Sequence, residues 1–420
     1  MATTFLAKPE PAHVRSVALL AEEPAIATAL AWLAAEKRWI QEKHLELCRI
    51  AAPTFQEQRR AEWMVSQFRT MGCEARLDKA GNVLCQVQPA GERPVVALTA
   101  HLDTVLEPLA PEDIRLGRDG SFQGPGVSDN GAGLAALLAT AQAIRCNSAL
   151  LETPLPLLMV ANVGEEGEGN LSGMRYLCRP AGLASKIASF VVLDGPATDH
   201  ITTRALASRR FEITFTGPGG HSWSDHGVPN PVHALSRAVA LFCEHHTPPP
   251  AVRCSFNFGV IDGGTSVNSI PTHARAKVDL RSEHPLRLEE MVTFLTTSIE
   301  HAMEMENDRA STGRVTAKIR EIGSRPGGQI AEDATILTHL RAVDAHLGIR
   351  AHLDCASTDA NVPLSMGMQA VSIGAGGQGG GAHTPNEWFH AEGRELGLRR
   401  IFLTLCLLMR DVDPRAALAV

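Results

Sequence analysis

Two imidazoles and three carboxylates stand where their side chains can meet around a cation. His101 follows the apolar run Pro94 to Ala100, and Asp129 lies in the Gly-rich turn Gly124 to Gly131. Glu166 follows a second apolar run that ends near Asn162. Asp194 follows a third, Ala188 to Leu193, and His383 closes the glycine-rich stretch that begins at Gly374. Imidazole and carboxylate are the usual ligands of zinc and related divalent metals. If one carboxylate bridges two ions about 3.5–4 Å apart, two further ligands remain for each, with a position left for water. Glu165 stands beside Glu166 between Gly164 and Gly167. One carboxylate of such a pair can bind metal while its neighbour takes a proton from water as general base. Asp103, two residues past His101, is placed to orient that imidazole.

The elements that must carry these groups read as an α/β fold. Val95 to Ala100, Pro154 to Asn162 and Ala188 to Leu193 are apolar runs of strand length, and each ends in ligand-type residues. Helical segments separate them, including Ala132 to Ile144, which is the βαβ rhythm of a mostly parallel sheet flanked by helices. In such sheets sites collect beyond the carboxyl ends of the strands. Further segments read as helices: two or one broken over Ala25 to Ala51, then Gln56 to Met71, Ala334 to Leu347 with Asp333 as cap, and Glu392 to Leu408. Cys73 to Val87 reads as a strand pair, and Ala370 to Gly374 as a buried strand. Residues 1 to about 12 read as loosely held.

From about Ser208 the texture changes. Strands are expected at Arg210 to Thr216, Val252 to Val260, Ala274 to Leu280 and Val315 to Ile322, with helices at Asn230 to His245 and Leu286 to Met305. The order βαββαβ is the ferredoxin-like split motif. Residues 206–322 are therefore expected to form an inserted α+β domain, and 1–205 with 323–420 a discontinuous catalytic, metal-binding domain.

Composition narrows the class. The chain has 420 residues, 44% hydrophobic, with a net charge of -7. That suits two cores and argues against a general nucleic-acid or membrane-surface binder. Nine cysteines without a Cys-x-x-Cys pair argue against a disulfide framework or thiolate zinc site and fit a reducing, cytoplasmic setting. No signal peptide and no run of membrane-spanning length is apparent. His226, His245, His246, His273 and His390 read as ordinary surface or packing residues.

The strings HLDTV, GPGVSDNGAG, NVGEEGEGNLSG, VLDGP, GPGGHS, GGTSVNSIP, DLRS and GGGAHTPNE occur in that order from about Trp39 onward. Together they resemble the zinc exopeptidase and deacylase family that contains peptidase T, acetylornithine deacetylase, aminoacylase and bacterial glutamate carboxypeptidase. The resemblance implies His101 and Asp194 on one metal, Glu166 and His383 on the other, Asp129 bridging, Glu165 as base, and a cis peptide bond after Asp129. It implies a homodimer built through the inserted domain, with His221 reaching the partner subunit to stabilise the oxyanion. Asn268 is implied as a substrate contact. Arg281 and, more weakly, Arg325 are candidates for a substrate carboxylate. Two departures stand out. Asn130-Gly131 follows the bridging Asp where many relatives carry Lys, and Glu165-Glu166 replaces the Asp-Glu of some relatives.

The function expected is a di-zinc hydrolase of an amide bond in a small substrate, with cobalt or manganese as other ions of the same chemistry. Ser357 to Asn361 and the glutamate loop look more like peptidase T-type members, which favours an aminopeptidase of di- and tripeptides. An N-acyl-amino-acid deacylase or a carboxypeptidase would use the same centre. A rival of another class is a metal-holding binding or scaffold protein that has lost catalysis.

Overall fold

The computed structural model describes residues 10–245 and 253–411. It divides into two units, Met1–Ala205 with Gly328–Val420, and Leu206–Gly327. The second unit reaches Gly327 rather than 322 because its last strand, Thr316–Arg325, runs further than its apolar residues suggested.

The first unit is built on strands buried from both sides. In Val95–His101, Val96, Leu98 and Ala100 face one core and Val95 and Ala97 the other. Leu157–Asn162 divides in the same way, with Leu157, Met159 and Ala161 opposite Leu158 and Val160. A strand covered on both faces must be apolar throughout, which is why these runs show no alternation in the sequence.

The sheet runs in the order Glu74–Leu77, Val83–Gln86, Leu157–Asn162, Val95–His101, Ile187–Leu193, Gln369–Ile373, His200–Ala205 and Gly328–Gln329, with His352–Ala356 also paired to His200–Ala205. The four central strands from Leu157–Asn162 to Gln369–Ile373 are parallel, and antiparallel pairs flank them. The sheet is therefore mixed, with a parallel centre. Parallel strands deliver their carboxyl ends to one edge, so His101, Asp194 and the loop after Asn162 emerge together. The helix Gly131–Arg145 is buried along almost its whole length between this sheet and the helices Pro24–Ala35, Lys37–Cys48 and Arg394–Leu408.

Several elements differ from expectation. The two helices expected over Ala25 to Ala51 are present as Pro24–Ala35 and Lys37–Cys48, but a further helix, Pro11–Glu22, precedes them; it and Pro24–Ala35 open on a proline suited to a first turn. Pro11 and Ala12, expected to be loose, already belong to that further helix; residues 1–9 lie outside the described residues. The helix Thr335–Leu347 follows Ala334 with no side-chain cap, so Asp333 does not cap it. A small sheet of Arg115–Leu116, Ser121–Gln123, Trp388–His390 and Gln378–Gly380 was not foreseen.

No single helix among the described residues is long and apolar enough to cross a membrane. The adjoining helices Pro11–Glu22 and Pro24–Ala35 pass that test only together, bent by 78°. Val17, Leu20, Ile26 and Leu33 from this pair are buried in the core.

In the second unit, four antiparallel strands lie in the order Cys254–Gly263, His273–Ser282, Ala207–Thr216 and Thr316–Arg325. The helices Pro231–His245 and Pro285–Asp308 cover one face through Leu235, Phe242, Met291 and Leu295. The order of elements is βαββαβ. Val252 and His246 lie outside the described residues.

Candidate metal centre

His101 closes its strand almost wholly buried. Its Nδ1 donates to the main-chain oxygen of Asp103 at 2.9 Å. With the proton fixed there, Nε2 is the nitrogen that could hold a cation. That nitrogen stands 3.0 Å from Asp129 Oδ1. The other oxygen of Asp129 stands 3.2 Å from His383 Nε2, which is also 2.9 Å from Glu166 Oε1. Ligand atoms around one zinc ion stand about 3.3–3.5 Å apart when each bond is about 2.0–2.2 Å, so these groups, now in hydrogen-bond contact, lie within reach of a common ion.

Three sets of donor atoms lie within 4.8 Å of one another: His101 with Asp129 and Asp194, Asp129 with Glu166 and His383, and His101 with Glu165 and Glu166. Asp129 belongs to two sets, and its Oδ1 faces His101 while its Oδ2 faces His383. The donors are all imidazole and carboxylate, the chemistry that borderline divalent ions prefer. These residues fit a pair of such ions.

The electrostatics agree. Burial pushes the Asp194 carboxyl up to about 8, and repulsion from Asp129 and Glu166 adds to it. Burial would also raise Asp129, but hydrogen bonds from His101 and His383 outweigh that and hold it below the usual carboxylate range. Bonds to Asp129 and Glu166 hold the His383 imidazole at about 10. For His101, Asp103 and Asp129 overcome burial and raise it well above the ordinary value. Carboxylates in so small a space need positive charge among them, and imidazolium or metal cations supply it.

Asp103 does contact the imidazole it was expected to orient. It orients the His101 ring through its carbonyl, while its carboxylate Oδ1 lies 3.6 Å from Nδ1. The carboxylate instead accepts the amides of Glu165 and Glu166 at 3.0 and 2.9 Å and the Thr54 hydroxyl at 3.0 Å. Gly164 N donates to Glu57 at 3.0 Å, so the whole glutamate loop hangs on buried acids. Glu165 itself is buried.

Sequence reasoning assigned no role to Asn130, Asp359 or Glu387. Asn130 caps the helix Gly131–Arg145 by accepting Gly133 N at 3.1 Å, and donates to Leu193 O at 2.8 Å beside Asp194. Its place before a helix is a cap signal that the sequence did carry. Asp359 accepts Asn162 Nδ2 at 2.5 Å and adds repulsion at Asp194. Glu387 binds the Asp129 turn, and no local pattern announces it. The Asp129–Asn130 peptide bond is cis.

The remaining candidates lie in the second unit. His221 is exposed, and its Nδ1 accepts the amides of Trp223 and Ser224 at 3.1 and 3.3 Å. His221 pairs with Ser269, and Ser222 N donates to Asn268 O at 3.0 Å, so His221 and Asn268 are neighbours. Arg281 and Arg325 flank Ser208 from two strands, at the other end of the strand Ala207–Thr216. Arg281 is held by Asp279 at 2.6 Å.

The model of peptidase family M20/M25/M40 matches residues 97–405. A chain of Aeropyrum pernix named as a LysW-lysine/LysW-ornithine hydrolase is 26% identical over 302 residues, covering 67% of this chain and 78% of its own. A tripeptidase from Staphylococcus aureus Mu50 superposes with a TM-score of 0.73 at 19% identity, over 89% of this chain and 99% of its own. A dinuclear metal-binding peptidase of the M20 family from Bacillus subtilis does so with a TM-score of 0.64 at 15% identity, over 90% and 99%. At such identities the two structures speak for the fold.

Proposed function

The chain belongs to peptidase family M20/M25/M40, and from that premise we propose that it is an aminopeptidase of di- and tripeptides working with two zinc ions. The observation that carries the reading is the division of Asp129 between His101 at one oxygen and His383 at the other. His101, Asp194 and Asp129 would hold one ion, and Glu166, His383 and Asp129 the other. Bound there, the ions would polarise the scissile carbonyl and acidify water.

The chain's own groups do the rest. Asp103, through Glu165 N and Glu166 N, keeps the two glutamates in register, one as ligand and one as base. Glu165 takes the proton of the attacking water and passes it to the leaving amine. His221 accepts two amides at Nδ1, which leaves its proton on Nε2 to meet a developing oxyanion. In this reading His221 acts on the partner subunit's substrate, with Asn268 beside it, and the inserted unit is the dimerisation domain. The edge strand Cys254–Gly263 supports this, with Val260 and Ile261 exposed. The cysteines, none in a disulfide, support a cytoplasmic setting.

The test is a panel of tripeptides, their N-acetylated forms and N-acyl amino acids, offered with zinc, cobalt or manganese. Release of the N-terminal residue from free-amine tripeptides is expected, and acetylation should stop it. Faster cleavage of N-acyl amino acids would make the chain a deacylase, and release from the C-terminus a carboxypeptidase. No hydrolysis with any ion would favour the metal-holding scaffold.

A further inference from the structure

Glu387 lies four residues after His383, almost wholly buried. Its carboxylate takes three main-chain amides from the turn that carries Asp129. Oε2 accepts Gly126 N at 2.8 Å, and Oε1 accepts Ser128 N at 2.7 Å and Asp129 N at 2.8 Å. Its main-chain oxygen accepts a fourth, Gly124 N, at 2.9 Å. No cation among the described residues hydrogen-bonds to it. A buried carboxylate with no cation hydrogen-bonded to it needs such donors to replace its water.

The same turn is gripped from its other side. His44 Nε2 donates to Val127 O at 2.8 Å, with Arg394 Nη2 donating to its Nδ1 at 2.6 Å. Cys48 Sγ lies 3.5 Å from Gly126 O. Amides are thus held by Glu387 and carbonyls by the helix Lys37–Cys48, so Asp129 leaves a turn with little freedom to rotate.

Residue type follows from this geometry. Both oxygens must accept, because donors approach each. Glutamine would turn an NH2 group on the amide of Gly126 or on those of Ser128 and Asp129. Aspartate is one methylene too short to reach all three.

We propose that Glu387 is a positioning residue for the metal centre: it fastens the turn of Asp129 to the turn of His383, so that the shared carboxylate faces both cations at once. This rests on the two-metal reading above. A buried acid that served stability alone would have no reason to bind the very amide of Asp129 from the loop that supplies His383.

The test uses the full chain with Glu387→Gln and Glu387→Asp. Hydrogen exchange of the 124–131 segment, followed in metal-free protein by mass spectrometry, reads the clamp itself. Zinc affinity, read by competition with a chromophoric chelator, reads its consequence. Both variants should exchange this segment faster than wild type, and zinc should bind about 10- to 100-fold more weakly, as for other groups that orient ligands. Glu387→Asp keeps the charge without the reach, so wild-type zinc affinity in it would overturn the proposal. So would unchanged exchange, or a fall in metal-free melting temperature with zinc affinity preserved. If wild-type protein itself binds no zinc while the segment stays protected, the metal reading fails and takes the positioning role with it.

Discussion

His101 Nε2 meets Oδ1 of Asp129 at 3.0 Å, and it does so from the end of a central strand while Asp129 sits ahead of a helix. The second oxygen of Asp129 is left to face His383. One carboxylate therefore faces both imidazoles, and under the two-metal proposal removing it would differ in kind from removing any other ligand.

Asp129→Asn should lower occupancy at both positions, whereas Asp194→Asn and Glu166→Gln should each empty one. Metal content of the purified variants, measured by elemental mass spectrometry after dialysis against limiting zinc, distinguishes these outcomes. Two ions retained in Asp129→Asn would remove it from the bridging position.

Glu165→Gln keeps the side-chain volume and removes the base. Turnover of a free-amine tripeptide should fall about 10²- to 10⁴-fold, with both ions retained. Glu165 also lies within 4.8 Å of His101 and Glu166, so loss of an ion would make it a ligand. Undiminished turnover would place the base elsewhere.

His101 and Asp194 were legible as strand-end groups because each follows a run buried on both faces, whereas Asp129 sits ahead of a helix and His383 in a glycine-rich loop. Val95 to Ala100 and Ile187 to Leu193 could hardly be anything but central strands, and chemistry collects at their ends. The small sheet of Ser121–Gln123 and Gln378–Gly380 was not legible, since three residues carry no period and two of them are glycine. Glu387 was hidden for another reason. Its partner amides lie 258 to 261 residues away, and nothing local marks a carboxylate that caps a distant turn.

Thiol reactivity checks the packing independently. Burial pushes the thiols of Cys48, Cys178 and Cys406 up to about 12, while Cys146 and Cys243 are exposed. At pH 8 a thiol reagent should label Cys146 and Cys243 in the native protein within minutes. Cys48, Cys178 and Cys406 should react only after denaturation, when all nine cysteines become available. Early labelling of Cys48 would mean that the helix behind the Asp129 turn opens readily.

Arg400 and Asp344 join the helices Arg394–Leu408 and Thr335–Leu347 through two parallel bonds of 2.6 and 2.7 Å, both residues buried. Removing one partner leaves the other charge without an answer. Asp344→Ala should cost about 3–5 kcal/mol in urea unfolding. Replacing both with leucine should recover much of that loss, because no buried charge then remains. A cost below ~1 kcal/mol for the single change would show that water reaches the pair.

Metal addition should stabilise the metal-free protein, and the identity of the ion should matter. Burial, with repulsion from Asp129 and Glu166 added to it, raises the Asp194 carboxyl to about 8, and a bound cation would offset both. An ion present at about a hundred times its dissociation constant adds ~2.7 kcal/mol per site. For a chain of this size that is a rise of several degrees in melting temperature. Zinc, cobalt and manganese should produce it, and a chelator should reverse it. Magnesium, which prefers six oxygens and keeps its water, should do much less at a centre that offers each ion an imidazole. Equal stabilisation by magnesium would mean that the carboxylates alone hold the ion, and His101 and His383 would then lose their place as ligands.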